Sequence, residues 1–184
     1  PGEQDRFRSG FLRAASLAAR LGTERVHVMA GVAKGPQAEQ VYRENLTWAV
    51  QQAPDLALTV EPINPDDMPG YFLNDFDQAA RILEDLNAPQ IGLQFDVWHA
   101  ARIHGNASAV WAAHRHRVSH VQIAGFPSRN EPGGGGFDLP ALCAELDADG
   151  GTVWVAGEYR PARATVHGLM WLQTLKARNR PIGD

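Results

Sequence analysis

Apolar residues along the chain follow two alternating spacings, one helical and one strand-like. Between Phe7 and Leu21 they recur every three or four positions, which predicts a helix with one buried face and Gly22 as its C-terminal cap. Short apolar runs between polar or glycine-rich stretches predict buried strands at residues 25–30, 56–61, 91–96, 118–124 and 152–158. Helical spacing between these runs predicts further helices at about residues 37–52, 75–86, 107–115 and 139–146, and from Thr165 onwards.

The alternation of strand and helix predicts a parallel sheet, because each helix returns the chain to the end where the previous strand began. The repeat of about 30 residues matches the strand–helix unit of a (β/α) TIM barrel. No linker interrupts it, so residues 1–184 are predicted to form one partial TIM-barrel domain of the α/β class. A closed barrel takes eight such units, whereas five strands follow the leading helix here. We therefore expect an incomplete barrel with two open sheet edges, and a homo-oligomer formed through those edges.

Composition narrows the expected partners and location. Lys and Arg sum to 17 against 21 for Asp and Glu, a net charge of -4, which argues against a nucleic-acid partner. A single cysteine, Cys143, excludes an intramolecular disulfide and favours a reducing, cytoplasmic setting. No apolar run approaches the ~20 residues that cross a bilayer, so no membrane partner is expected. The polar N-terminus lacks a signal-peptide core and an initiator Met, which indicates a processed, trimmed or partial chain.

Polar residues stand at the C-terminal ends of four successive predicted strands. They are Glu61, Asp96, Gln122 and Glu158. In a barrel these strand ends surround one mouth, where active sites lie. Each residue alone is explained more simply as a polar cap on a strand end, but their recurrence at one place in the repeat favours a shared site. Four oxygen donors suit a hard divalent cation such as Mg²⁺ or Mn²⁺.

Two basic side chains follow these strand ends and can reach the same mouth. His99 lies three residues after Asp96, so it can bind either the metal or a substrate hydroxyl or carboxylate. A histidine that is hydrogen-bonded only within its own loop is an equal alternative. Arg129 lies in the glycine-rich loop 125–136, where its two-donor fork can bind a substrate carboxylate. The other histidines are interpreted as surface or core positions. Trp111, Trp154 and Trp171 are interpreted as packing residues, whereas Trp98 can wall the pocket.

Several short segments stand in the order and spacing of one known family. They are residues 26–31 (VHVMAG), 61–64 (EPIN), 94–99 (QFDVWH), 120–124 (HVQIA), 129–133 (RNEPG) and 157–161 (GEYRP). On these segments the chain resembles the hydroxypyruvate isomerase family, within the xylose-isomerase-like barrel superfamily. The likeness covers nearly the whole chain and corresponds to the last five strand–helix units of the family, whose members begin with about three more. Relatives that epimerise ketoses usually have a metal-binding histidine where this chain has Gln122.

The resemblance implies an enzyme, an isomerase that interconverts hydroxypyruvate and tartronate semialdehyde or acts on a related small hydroxy-keto acid or sugar. It implies a divalent metal bound by Glu61, Asp96, Gln122 and Glu158, with Glu61 and Glu158 as the acid/base pair. The chemistry suits these groups, because removing a proton beside a carbonyl leaves an enediolate whose oxygens need a cation. A positioned carboxylate can take that proton and return it to the neighbouring carbon.

Other functions stay open on the sequence. A ketose 3-epimerase or a sugar-phosphate isomerase of the same superfamily would share the metal and the glutamates, although the sequence contains no clear phosphate cradle. An apurinic-site endonuclease would need a histidine-rich cluster of several metals and a basic groove, and both Gln122 and the net charge count against it. A truncated, non-catalytic remnant that serves as a binding or interaction module is the alternative outside enzymology.

Overall fold

Five parallel strands lie side by side in the order in which they occur along the chain. They are β1 (Arg25–His27), β2 (Ala57–Val60), β3 (Ile91–Asp96), β4 (Val118–Ile123) and β5 (Trp154–Gly157). The helices are α1 (Gln4–Leu21), α2 (Pro36–Gln52), α3 (Phe76–Leu86), α4 (Val97–His104), α5 (Ala107–His114), α6 (Leu139–Ala148) and α7 (Thr165–Gly168). This computed structural model describes residues 3–133, 137–148, 150 and 152–173. The predicted α/β half-barrel is confirmed.

Element limits differ from the prediction in three places. β1 ends at His27 and not at residue 30, because the chain turns away and the Ala30 N–H donates to the Tyr71 hydroxyl at 2.8 Å. A helix, α4, follows β3 directly in a stretch for which no element was predicted, because the Asp96 side chain caps it. The last predicted helix is interrupted after Gly168. Two parts of the predictions, residues 134–136 of the glycine-rich loop and the part of the last predicted helix beyond residue 173, lie outside the described residues.

One face of the sheet is apolar, and the helices cover it. Side chains alternate between the two faces along each strand. The residues on this outer face include Leu58, Val60, Leu93, Phe95, Val121 and Ile123, each at most 2% exposed. The Phe95 ring packs edge-on against Phe76 of α3 at 5.6 Å and Trp111 of α5 at 5.3 Å between centroids. Truncating such a ring to alanine costs about 3–5 kcal/mol, so this layer holds the sheet and helices together.

The opposite, inner face of the half-barrel is polar. It carries His27, Thr59, Glu61, Gln94, Asp96, His120 and Gln122 at alternate strand positions. Trp154 of β5 lies opposite His120 and is 70% exposed, so the interpretation of this tryptophan as a packing residue is wrong. The reason is its place on an edge strand, since the described residues leave most of its ring uncovered.

The pairing of β3 with β4 contains a one-residue register shift. Leu93 lies opposite Val118, but Gln94 lies opposite His120, so Ser119 is skipped. Gly92 makes room for it, because a Cβ at that position would overlap the Ser119 hydroxyl. Beyond the shift the regular pairing resumes, and it sets Asp96 opposite Gln122 on the inner face.

The strand order leaves β1 and β5 at the two edges of the sheet, as predicted. Open edges of this kind present unpaired backbone groups for association. Self-association through them stays a prediction. Within the described ranges, none of the helices combines the length and the apolar character that crossing a membrane requires.

Candidate active site and metal centre

Two buried carboxyl groups lie at the ends of neighbouring strands. Glu61 follows β2 and is 4% exposed, and Asp96 ends β3 and is fully buried. Asp96 accepts a 2.8 Å hydrogen bond from the Trp98 N–H through Oδ1, and its second oxygen, Oδ2, faces the site, where it accepts from Arg129 Nη2 at 3.1 Å. Glu61 accepts through Oε2 only, and its Oε1 has no hydrogen-bond partner among the described residues. Asp96 Oδ2 and Glu61 Oε1 belong to the inner face, where the strand ends meet.

Gln94 of β3 links the ends of the strands on either side of it, β2 and β4. The Thr59 hydroxyl donates to Gln94 Oε1 at 2.9 Å, which orients the amide so that its NH₂ points towards the strand ends. Gln94 Nε2 then donates to Glu61 Oε2 at 2.9 Å and to Gln122 Oε1 at 2.7 Å. The sequence analysis did not single out Gln94. Its position two residues before Asp96, and therefore on the same strand face, was the available signal.

The Arg129 side chain contacts three carboxyl groups around the site. Its Nη2 lies 3.1 Å from Asp96 Oδ2 and 3.1 Å from Glu158 Oε2, while Nη1 lies 3.3 Å from Asp67 Oδ2. The guanidinium also lies over the ring of Trp98, 5.9 Å from its centroid. The structure thus brings Arg129 against two of the predicted metal ligands, and Trp98 walls this side of the site as expected.

The loop after β2 contributes an acceptor that the sequence analysis missed. Asp67 Oδ2 accepts from Trp98 Nε1 at 2.8 Å and from Asn64 Nδ2 at 3.1 Å, in addition to its contact with Arg129. Burial raises the pKa of Asp67, but the hydrogen bonds from Trp98 and Asn64 and the charge of Arg129 outweigh burial and lower it. Asp67 therefore stays ionised and holds the loop, the indole and the guanidinium in place.

His99 lies against both buried carboxyl groups. Its Nε2 is 3.9 Å from Glu61 Oε1 and 3.7 Å from Asp96 Oδ2, and its Nδ1 faces Asn64. His27, which the sequence indicated to be an ordinary position, lies with Nδ1 3.6 Å from Glu61 Oε2. Burial lowers the pKa of both rings to about 4, with the charge of Arg129 adding to the shift at His99. Both histidines are therefore neutral at pH 7.

The carboxyl groups crowd one another. Burial, followed by the charges of Asp96 and Glu158, raises the pKa of Glu61 to about 9. Burial also raises the pKa of Asp96, against the charge of Arg129 and the hydrogen bond from Trp98. A site whose acids hold protons at neutral pH is short of positive charge.

The residues present fit a divalent cation. Glu61, Asp96 and His99 each offer an atom within 4.8 Å of the others. Carboxylate oxygens predominate, Glu61 Oε1 is unpartnered among the described residues, and the raised carboxyl pKa values are what an added cation would reverse. A buried Glu/Asp/His group able to hold a metal is thus part of the site, and the fold adds Gln122 and Glu158 beside it.

The chain matches a known protein family and curated proteins from several organisms. The family model described as xylose isomerase-like TIM barrel matches residues 1–175. The 2-oxo-tetronate isomerase of Cupriavidus necator is 37% identical over 97% of this chain and 71% of its own length. The hydroxypyruvate isomerase of Escherichia coli is 31% identical over 94% of this chain and 69% of its own length.

A solved structure shares the fold closely. The crystal structure described as AP endonuclease, family 2, from Brucella melitensis superposes with a TM-score of 0.87. It is 32% identical, and the match covers 95% of this chain and 69% of that chain. By the family model, the curated relatives and the superposition, the chain belongs to the xylose isomerase-like TIM barrel family, among the isomerases of that family.

Proposed function

We propose that this chain isomerises hydroxypyruvate to tartronate semialdehyde with one divalent cation, Mg²⁺ or Mn²⁺, bound by Glu61, Asp96, Gln122 and Glu158. The observation that carries the proposal is the group of carboxyl oxygens at adjacent strand ends, two of them bridged by one guanidinium. One oxygen of the group, Glu61 Oε1, has no partner in the described part of the chain. The names of the curated relatives support the reaction class.

The reaction moves hydrogen within a three-carbon chain. A carboxylate removes a proton from the hydroxymethyl carbon of hydroxypyruvate, and the electron pair of that C–H bond forms an enediolate with the carbonyl. A proton returned to the former carbonyl carbon, together with transfer of a proton between the two oxygens, gives tartronate semialdehyde. A cation held by Glu61, Asp96, Gln122 and Glu158 would supply the positive charge that stabilises the enediolate.

Glu61 and Glu158 are the proposed pair that removes and returns the proton. They come from the ends of β2 and β5, and Asp96 and Arg129 lie between them. The pKa of Glu61, about 9 without a cation, makes it an acid that positive charge converts into a base. Arg129 and His99 are the proposed substrate-binding residues, since one offers a planar fork and the other a ring nitrogen facing the same space.

Solvent isotope exchange tests this proposal. The protein is loaded with Mg²⁺ or Mn²⁺ and incubated with hydroxypyruvate in D₂O. We expect tartronate semialdehyde that carries deuterium, and proton NMR measures its incorporation. Glu61→Gln and Glu158→Gln each keep the side-chain shape but cannot take a proton, so each is expected to abolish exchange while substrate binding stays measurable. Near-normal deuterium incorporation in both variants would contradict the assignment. Glu44→Gln, an exposed glutamate on α2, is the matched control and is expected to exchange normally.

The name of the Cupriavidus relative favours a second substrate of the same class. 2-Oxo-tetronate carries one more carbon than hydroxypyruvate but presents the same carboxylate and adjacent carbonyl, so the same residues would serve it. Comparing kcat/KM for the two acids under identical metal conditions separates them. A higher value for 2-oxo-tetronate would shift the proposal to that substrate while leaving the mechanism unchanged.

Alternatives outside this reaction predict different outcomes. The description of the Brucella structure raises apurinic-site cleavage. The net charge of -4 and the single acid/histidine group found among the described residues favour a small acidic substrate instead. Cleavage of abasic duplex DNA would support the endonuclease, and 3-epimerisation of a ketose would support the epimerase. A folded chain that turns over none of these substrates would support a non-catalytic binding module.

A further inference from the structure

Asn64 is a buried polar residue whose orientation is fixed by the backbone around it. It is fully buried, and its Oδ1 accepts hydrogen bonds from the N–H groups of Asp66 at 3.1 Å and Asp67 at 3.0 Å. Because Oδ1 faces two backbone donors, the amide cannot be reversed without losing both bonds. Its NH₂ group must therefore face the other way, towards Asp67 Oδ2 at 3.1 Å and His99 Nδ1 at 2.8 Å.

His99 Nδ1 consequently has two neighbouring polar groups, and both of them are N–H donors. One is the side-chain NH₂ of Asn64, and the other is the backbone N–H of the same residue at 3.2 Å. A ring nitrogen that accepts hydrogen bonds carries a lone pair and not a proton. In a neutral imidazole the proton is then on Nε2.

The Nε2–H has no hydrogen-bond acceptor within the usual distance in the described site. Glu61 Oε1 at 3.9 Å and Asp96 Oδ2 at 3.7 Å are both too far away for a direct bond. The His99 side chain is only 4% exposed, so the protein encloses nearly all of the ring. A buried donor aimed at an open position beside two carboxyl groups is suited to an oxygen of a bound molecule.

We propose that Asn64 is a positioning residue that fixes His99 as the Nε2–H tautomer, so that His99 donates to a substrate oxygen and does not bind the cation. A metal-bound histidine normally donates its other ring N–H to a carboxylate, carbonyl or water. Here that second nitrogen faces donors, which is the opposite arrangement. The identity of the substrate oxygen rests on the proposed function, whereas the tautomer does not.

The tautomer is measured directly in the substrate-free protein. Long-range ¹H–¹⁵N correlation spectra of ¹⁵N-histidine-labelled protein at pH 7.5 distinguish protonated from unprotonated ring nitrogens. The chain has seven histidines, so the His99 signals are assigned by their loss in His99→Gln. We expect an unprotonated Nδ1 and a protonated Nε2, both in EDTA and with saturating Mg²⁺. A protonated Nδ1, or loss of the Nε2 proton when Mg²⁺ binds, would overturn the proposal without any need for a variant at position 64.

Asn64→Asp tests the role of Asn64 itself. An aspartate keeps the size and the Oδ1 acceptor but replaces the NH₂ donor with an acceptor. Nδ1 then faces this acceptor beside the remaining backbone N–H, so a measurable fraction of molecules is expected to become protonated on Nδ1. Asn74→Asp is the matched control, because Asn74 is exposed and donates to the Tyr71 carbonyl. An unchanged Nε2–H tautomer in Asn64→Asp would show that Asn64 does not set it.

The activity of Asn64→Asp gives a second test. We expect its kcat/KM for hydroxypyruvate to fall by about 10- to 100-fold. Failure of the wild type to act on hydroxypyruvate would remove the proposed function and leave the tautomer result standing.

Discussion

The two sides of the site differ in how far they are removed from water. On the side of β2 and β3, Glu61, Asp96 and His99 are buried and surrounded by fixed hydrogen bonds. On the side of β4 and β5, Gln122 is half-buried and the Glu158 side chain is 49% exposed. Arg129 spans both sides, since it contacts Asp96 and Glu158 with the same nitrogen, and Gln94 also links them through Glu61 and Gln122.

This difference separates two tasks that the proposed reaction needs. The buried side has the raised carboxyl pKa values and the fixed geometry, which suit a preorganised cation site. The open side leaves room for a small substrate to enter and for Glu158 to move. Electrostatic interactions are weaker on this side, because water screens them. We therefore expect the buried side to dominate metal affinity and the open side to act mainly in turnover.

The largest effect is expected when a charge is removed from the buried side. Asp96→Asn keeps the cap on α4 but removes the charge, and it should weaken Mn²⁺ binding more than about 100-fold. Glu158→Gln removes one carboxylate charge on the open side. It should weaken Mn²⁺ binding by only about 10-fold, because water replaces the carboxylate there. Titration calorimetry with Mn²⁺ measures both. Equal losses would remove the distinction between the two sides, and Asp85→Asn on the outer surface is the control.

A smaller effect is expected from the amide that connects the strand ends. Gln94→Leu preserves the size but leaves Glu61 Oε2 and Gln122 Oε1 without their shared donor. Losing an orienting partner behind metal ligands typically costs 10- to 100-fold in affinity. The same Mn²⁺ titration measures it, with Gln51→Leu on the exposed face of α2 as the control. Wild-type affinity in Gln94→Leu would mean that the strand ends alone fix the ligands.

The raised pKa of Glu61 predicts how stability depends on pH in the metal-free protein. Its pKa rises from the ordinary value of 4.5 to about 9 on folding, so above pH 4.5 the unfolded chain loses a proton that the folded chain keeps. The free energy of unfolding should therefore fall as pH rises towards 9, by on the order of 1 kcal/mol per pH unit. In the window from pH 7 to 9, His27 and His99 contribute little, because this window lies above both their folded pKa of about 4 and the ordinary histidine pKa of 6.5.

Urea unfolding in EDTA at pH 7, 8 and 9 measures the slope. Glu61→Gln should flatten it, although not completely, because the raised pKa of Asp96 acts in the same direction. A wild-type stability that rises with pH through this window would contradict the crowding of carboxyl groups described above.

The smallest effect is expected at the open edge. Trp154→Ser removes a ring that is 70% exposed, and it should change the stability of a monomer by no more than about 0.5 kcal/mol. Trp98→Phe, on the buried side, loses the hydrogen bond to Asp67 and should cost about 1–2 kcal/mol. Sedimentation velocity sharpens the contrast. We expect the wild type to sediment as an oligomer and Trp154→Ser to shift it towards the monomer, and a stable wild-type monomer would contradict association through the open edges.

Strand periodicity predicted much of the site, but the residues contributed by loops could not be predicted in this way. Glu61, Asp96 and Gln122 could be predicted together because parallel strands deliver their C-terminal ends to one edge of the sheet. Asn64 and Asp67 could not, because their contacts depend on the path of the loop after β2, which no residue spacing specifies. The early end of β1 was missed for the same reason, since the Tyr71 hydroxyl that receives the Ala30 N–H is distant in sequence.

Ser119 is a residue that could be deleted without changing the pairing of the strands on either side of it. The residue is skipped in the pairing of β3 with β4, so the lower and upper parts of β4 are each in regular register and only this position is out of step. Losing its codon would join the two parts into one uninterrupted ladder, with Gln122 still opposite Asp96. The same loss would free Gly92 to accept a side chain, because the Ser119 hydroxyl fills the space that a Cβ would need. Positions 92 and 119 therefore form a pair that evolution can change together while the residues at the mouth of the site keep their places.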